Sequence, residues 1–256
     1  MFPFWDDVVA PLIRAASPRA VVEIGALRGD STTRLLATLP RDCVLHVIDP
    51  VPQFDPEAHR ARFGDRYRFH QALSLRVLPT LDAVDVALID GDHNWYTVFH
   101  ELRELHEAAD RAGRAGPLCL LHDVAWPYGR RDGYYDRTNV PTDQQQPSAR
   151  LGMARGRSAL LDSGGTNPHI WNACHEGGPR NGVRTALEDF VALDPERFRC
   201  TVLDDFVGLG IVVDQRRLGE APALGAALDA VVAADSRADL SRRIEAAARS
   251  GLRHGR

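Results

Sequence analysis

Short apolar runs recur along the chain, at residues 20–24, 44–48, 67–70, 84–89, 118–121, 200–203 and 208–213. Segments with helical periodicity separate most of them. A strand that is apolar at consecutive positions has both faces buried, and such strands occur where helices cover a parallel sheet on both sides. The pattern predicts an α/β fold: a Rossmann-like seven-stranded, mostly parallel sheet with helices on both faces. Only residues 204–207 join the last two runs, too few for a right-handed crossover helix, so the last strand runs antiparallel. Among the helices, the clearest cover residues 31–39, with Asp30 and Ser31 as N-cap candidates, and 96–111, where Val98, Leu102 and Leu105 form one stripe.

With 256 residues and 44% hydrophobic content, the chain suits one domain with a substantial core. Residues 1–220 form that domain. Within it, residues 126–181 are rich in Gly, Pro, Gln, Arg and Asp, and read as a lid-like insertion with little secondary structure of its own and mobile without substrate. Residues 221–256 form an Ala-rich extension of two helices, whose stripes cover the sheet or, as the alternative, form a homodimer surface.

A net charge of -4 without a basic stripe excludes a nucleic-acid partner and favours a small molecule. No apolar stretch reaches the roughly 18 residues of a membrane span. Acids stand near the N-terminus where a signal peptide carries positive charge, so a cytoplasmic protein is expected. Cys43, Cys119, Cys174 and Cys200 lack metal-site spacing and read as free, buried thiols. The chain contains no lysine. That removes P-loop nucleotide hydrolysis, pyridoxal Schiff bases and the Tyr/Lys proton relay of short-chain dehydrogenases.

The most informative stretch is Val21-Val22-Glu23-Ile24-Gly25-Ala26-Leu27-Arg28-Gly29-Asp30-Ser31-Thr32. An apolar strand enters Gly25, Gly29 follows, and a helix starts at once, a turn in which backbone can approach a ligand closely. The spacing is not the dinucleotide GxGxxG, and Glu23 would repel a pyrophosphate while tolerating a cationic ligand. Asp49 ends the second strand about twenty residues on, where an acid accepts ribose hydroxyls.

In these residues the chain resembles the class I S-adenosylmethionine-dependent methyltransferases. In particular it resembles a small-molecule O-methyltransferase family whose fourth strand ends in Ile-Asp-Gly-Asp-His, here Ile89-Asp90-Gly91-Asp92-His93, followed by a helix and a strand ending in His122-Asp123. The resemblance implies S-adenosylmethionine as cofactor, held by Glu23, Gly25, Ala26, Gly29, Ser31, Asp49, Ala72, Leu73 and Asp90, with Ala72 and Leu73 beside the adenine. In catechol-type relatives a divalent metal sits on an acid ending strand four and an Asp-Asn pair ending strand five, and a Lys is the general base. Carried over, Asp90, His122 and Asp123 become metal ligands, and His93 takes the place of the Lys. His122 joins His93 as a catalytic candidate.

An imidazole is available as a base near pH 7. His122 makes the site less suited to magnesium and acceptable to manganese, iron, zinc or nickel. The expected reaction is methyl transfer to a hydroxyl of a small molecule, in natural-product or sugar metabolism. N-methylation and a NAD(P)-dependent Rossmann oxidoreductase stay open as alternatives.

Overall fold

The computed structural model describes residues 1–254, so the last two residues of the expected helical tail lie outside the described residues. Five strands run parallel: β1 Ala20–Ile24, β2 Val44–Ile48, β3 Tyr67–His70, β4 Val86–Ile89 and β5 Leu118–His122. Three short strands follow, β6 Gly133–Tyr134, β7 Ser148–Ala149 and β8 Trp171–Ala173, and then β9 Phe198–Leu203 and β10 Leu209–Asp214. The main sheet has the order β3-β2-β1-β4-β5-β10-β9. β10 is antiparallel to both β5 and β9, as the short connection requires.

The pleat explains the apolar runs. Leu118 and Leu120 of β5 point into one buried cluster and Cys119 and Leu121 into the other; Val86 and Leu88 of β4 alternate with Ala87 and Ile89 in the same way. The second face is covered by α5 Trp95–Arg111 and α6 Val183–Val191, with Val98, Leu102 and Leu105 buried as the stripe demanded. Over the first face lie α1 Ala10–Ala16 and α2 Asp30–Thr38, together with the tail helices Pro222–Val232 and Ala234–His254. Leu224, Leu228, Leu240 and Ile244 of that tail join Leu12 and Ile13 in one core, so its described stripe covers the sheet layer.

Two helix starts differ from the sequence reading. Asp30 and Ser31 lie inside α2, whose N-cap is Gly29 with no side-chain cap. Before α5, Asn94 does cap, accepting from the Thr97 amide. The insertion differs more. β6, β8 and β7 form a second sheet in that order, and buried polar groups hold the segment alongside Tyr128, Met153 and Ile170, which join the second apolar cluster. The Arg131 guanidinium donates to the carbonyls of Ala173 and Ser158. Asp132 accepts from the Trp95 and Gly182 amides, both at 2.7 Å, and from the Tyr134 hydroxyl at 2.6 Å.

The four cysteines are free; Cys43 and Cys119 are buried, Cys174 is half-buried and Cys200 is exposed. Among the described residues no helix is long and apolar enough to cross a membrane.

Candidate active site

The chain leaves β1 toward β2 on one side and returns to β4 on the other, so a crevice opens at the carboxyl ends of β1 and β4. Gly25 is where the two loops meet. Its φ is +84°, and a Cβ there would sit 2.4 Å from the Asp90 carbonyl oxygen and 2.7 Å from Gly91 Cα. The glycine therefore serves the packing of the β1 and β4 loops against each other, a nearer reason for it than the clearance for a ligand read from sequence.

Asp49 shapes the first loop from beneath. One carboxylate oxygen accepts from the amides of Ala26 (2.9 Å) and Leu27 (2.8 Å), and the other from Val51 (2.8 Å). Gly29, with φ +76°, turns the loop into α2, where Ser31 is half-buried in the first turn. Ala26 is buried, and Leu27 stands exposed at the rim.

Glu23 is buried and accepts a 2.6 Å bond from the Thr32 hydroxyl, while its Oε1 has no partner. Burial first, and then the charges of Asp90 and Asp49, lift its carboxyl to about 8 against the Thr32 bond. It is mostly neutral at pH 7. The carboxylate with the stronger hold on its charge is Asp90: burial opposes ionisation, but His122 and the Met1 ammonium outweigh it and lower its pKa. The Met1 ammonium lies 3.2 Å from Asp90 Oδ2.

Asp90, His93, His122 and Asp123 meet at the ends of β4 and β5. Asp123 Oδ2 lies 3.0 Å from His93 Nε2 and 2.9 Å from His122 Nδ1, and His122 Nδ1 is 3.1 Å from Asp90 Oδ1. Asp123 adopts a left-handed φ of +61°, an uncommon conformation for a residue with a side chain. Burial disfavours the charged form of His122, yet Asp90 and Asp123 lift it to about 9. His93 is also raised, burial again being outweighed by the charge and hydrogen bond of Asp123 and by Asp90 and Asp92. Asp123 is held well below the usual carboxylate range, because the two imidazoles overcome its burial.

As to a metal, donor atoms of Asp90, His93 and Asp123 all lie within 4.8 Å of one another. Two carboxylates and one imidazole, with His93 and Asp123 buried and Asp90 half-buried, fit a divalent ion of the manganese, iron or zinc type. The sequence reading had His122 in place of His93 in that set. In the structure His122 Nδ1 bonds to both carboxylates, and its Nε2 is buried without a partner.

Ala72 and Leu73 follow β3, half-buried. Ser74 does not cap the next helix, Ser74–Val77; its hydroxyl donates to Glu101 at 2.5 Å. Beyond them lies a cleft of about 890 Å³ between the sheet edge and the insertion, lined by Leu73, Ser74, Asp92, Tyr96, Arg137 and Trp171 among others.

Three contributors escaped the sequence reading. Asn94, placed just before a periodic apolar stripe, carried a readable cap signal. Glu101 and Asp132 carried none, since a buried acid in a helix and one in an irregular loop look like surface residues in sequence.

Residues 22–124, which contain both loops and the four-residue cluster, match the family model described as methyltransferase domain. No curated protein matches the chain. Among solved structures, the chain is similar to an O-methyltransferase from Bacillus cereus in complex with SAH, at 16% identity over 80% of this chain and 78% of that one, with a TM-score of 0.49. It is also similar to the O-methyltransferase TomG from Streptomyces achromogenes, in complex with SAM, at 15% identity over 80% and 77% of the two chains, TM-score 0.47. A third is cofactor-bound Rv0187 from MTB, at 17% identity over 80% and 78%, TM-score 0.48.

Proposed function

We propose that the protein is an S-adenosylmethionine-dependent methyltransferase that methylates a hydroxyl of a small molecule. One observation carries the reading: Gly25 packs the β1 loop directly on Asp90 and Gly91, so the loop suited to a nucleoside and the Asp90/His93/His122/Asp123 cluster share one crevice. The match of residues 22–124 to a methyltransferase domain supports it.

Bound in the crevice, the cofactor would supply a methyl group on a sulfonium, an electrophile that needs an aligned nucleophile and little else. The Asp49-supported loop would hold the nucleoside, Ala72 and Leu73 the adenine side, and Asp90 a cationic part of the methionine moiety. Glu23, neutral and hydrogen-bonded to Thr32, would support the loop from below.

Proton removal falls to His93. With Nε2–H donating to Asp123, the Nδ1 lone pair is free to take the acceptor's hydroxyl proton, and Asp123 stabilises the imidazolium that results. Transfer to the deprotonated hydroxyl would exchange the S–CH3 bond for an O–CH3 bond and give the methyl ether and S-adenosylhomocysteine. A raised His93 pKa means that the competent neutral form accumulates as pH rises, so turnover should climb through and above pH ~6.5. A divalent ion held by Asp90, Asp123 and His93 would instead lower the pKa of the acceptor hydroxyl itself, and His93 would then be a ligand and not the base. The acceptor itself we place among hydroxylated natural products or sugars, and the enzyme in the cytoplasm.

Calorimetric titration with S-adenosylhomocysteine, followed by transfer of labelled methyl from S-adenosylmethionine to a panel of hydroxylated acceptors, tests the reading. His93→Ala should lower turnover by about 10²- to 10⁴-fold while leaving cofactor affinity within a factor of about two. Activity that survives His93→Ala but falls with chelator would move deprotonation from His93 to the metal. Absence of cofactor binding would sink the proposal.

A further inference from the structure

We propose that Tyr128 is a positioning residue that fixes the plane of the His93 imidazole, and that the insertion is the rigid brace holding Tyr128 in place. The inference rests on the proposed role of His93, but its claim about geometry can be tested apart from that role.

A functional imidazole is usually oriented through both nitrogens, one engaged in chemistry and the other hydrogen-bonded to a fixed acceptor. His93 is anchored at one end only. Its Nε2 bonds to Asp123, and among the described residues Nδ1 has no hydrogen-bond partner. A single hydrogen bond leaves the ring free to pivot about that contact. The missing constraint comes from the face of the ring: Tyr128 stacks on it with centroids 4.7 Å apart and planes 6° from parallel. Tyr135 closes on it at 5.5 Å and 51°.

Tyr128 is itself fixed at three points. Its hydroxyl accepts from Asn167 Nδ2 at 2.9 Å, and Asn167 is in turn held through its carbonyl by the buried Asn172 amide at 2.8 Å. Its carbonyl accepts from the Val183 amide at 2.9 Å. Its ring lies over Gly133, where a Cβ would come within 2.4 Å of the ring's Cε1. Only glycine leaves room for the tyrosine in that position. Gly133 also donates its amide to the His93 carbonyl at 2.9 Å, so the same residue touches both partners of the stack.

Asp132, next in the chain, locks this arrangement to the domain through the Trp95 amide at the start of α5 and the Gly182 amide before α6. The side chain and backbone of His93 are therefore both set by the insertion. A reacting atom misplaced by about 1 Å can cost on the order of 10²-fold in rate, so this placement matters to the chemistry.

The test compares Tyr128→Phe, Tyr128→Leu and Gly133→Ala in protein carrying isotope-labelled histidine. The probe is the ring carbon–proton signal of His93, assigned by its loss in His93→Gln; an imidazole stacked on an aromatic face carries an upfield ring-current shift. Tyr128→Phe should keep the shift, because the ring supplies it and the hydroxyl does not. Tyr128→Leu and Gly133→Ala, the latter by displacing the ring, should move the signal toward that of an unstacked imidazole, with S-adenosylhomocysteine affinity within a factor of about two of wild type. With an acceptor in hand, kcat should drop about 10- to 100-fold in Tyr128→Leu and be restored in Tyr128→Phe, with KM for S-adenosylmethionine unchanged. An unmoved His93 signal in the folded Leu or Ala variant, or a Phe variant that behaves like Leu, would overturn the proposal. If His93→Gln retains full turnover while the signals behave as expected, the base assignment fails and the positioning holds.

Discussion

Glu101 offers the most direct test of how this fold handles buried charge. It lies on α5 with no exposed surface; one oxygen accepts from the Ser74 hydroxyl at 2.5 Å, and the other is buried without a partner. Burial, partly offset by that hydrogen bond, raises its pKa from 4.5 to about 8. Between these two values the folded protein keeps a proton that the unfolded chain has released, so unfolding loses a proton and stability falls as pH rises. The slope is about 1.4 kcal/mol per pH unit while both conditions hold, so from pH 5 to 8 the loss from this one group is on the order of 4 kcal/mol.

Glu101→Gln removes the titration and keeps an acceptor for Ser74, while its amide nitrogen faces the position where Oε2 has no partner. Protonated Glu101 already buries an O–H donor without a partner there, so the variant should be of similar stability at pH 5 and the more stable protein at pH 8. Urea unfolding followed by tryptophan fluorescence at pH 5, 6, 7 and 8 gives both curves. Glu23, also lifted to about 8, is present in both proteins and cancels in the difference. A difference between wild type and variant that stays constant across this range would show that Glu101 ionises normally and that the argument from burial is wrong.

Asp49→Ala strands the amides of Ala26, Leu27 and Val51, and should weaken S-adenosylhomocysteine binding at least about tenfold by calorimetry, with a lowered melting temperature. Gly25→Ala places a Cβ 2.4 Å from the Asp90 carbonyl at a left-handed φ, so stability should fall by at least roughly 1–3 kcal/mol and cofactor affinity should fall with it; a stable variant of normal affinity would contradict the packing assigned to that residue. In hydrogen exchange without ligand, the Gly133, Ala173 and Gly182 amides should be protected like the main sheet, since the first is bonded to the His93 carbonyl and the other two to Asp132. Rapid exchange at all three would restore the mobile lid that composition suggested.

The main sheet was legible because its strands are buried on both faces, which writes them as uninterrupted apolar runs. β1, β2 and β3 have the bounds expected. β4 starts at Val86, later than its apolar run, although the Asp85 backbone still bonds to Ala20 and Leu118 while its carboxylate accepts from the Arg19 and Ala20 amides and pairs with Arg114. β9 starts earlier than expected, at Phe198, because this edge strand carries polar residues such as Arg199, which pairs with Asp229. The insertion was not legible. Its strands are two or three residues long, too short for any period, and Arg131, Asp132, Asn172 and Asn181 stabilise it by satisfying buried backbone. Those residue types read as solvent-exposed loop in every compositional rule.

The candidate site divides along the same line. Which residues gather there follows from topology: β1 and β4 are neighbours on either side of the point where the chain reverses direction, so residues just past their carboxyl ends meet wherever the loops lie. Position was thus readable, while charge was not. In sequence Glu23, Asp90 and Asp123 are equivalent acids and His93 and His122 equivalent imidazoles, and the structure separates them by what surrounds each. Glu23 has a hydroxyl and a vacant oxygen for company and is mostly neutral at pH 7; Asp123 has two imidazoles and keeps its charge. His122 sits between two carboxylates and is lifted to about 9, which favours an imidazolium at neutral pH and makes it a poor proton acceptor there. His93 touches one carboxylate and two aromatic rings, and keeps a nitrogen free. The different surroundings of the two histidines therefore come from Asp90 on His122 and from the aromatic rings of Tyr128 and Tyr135 on His93.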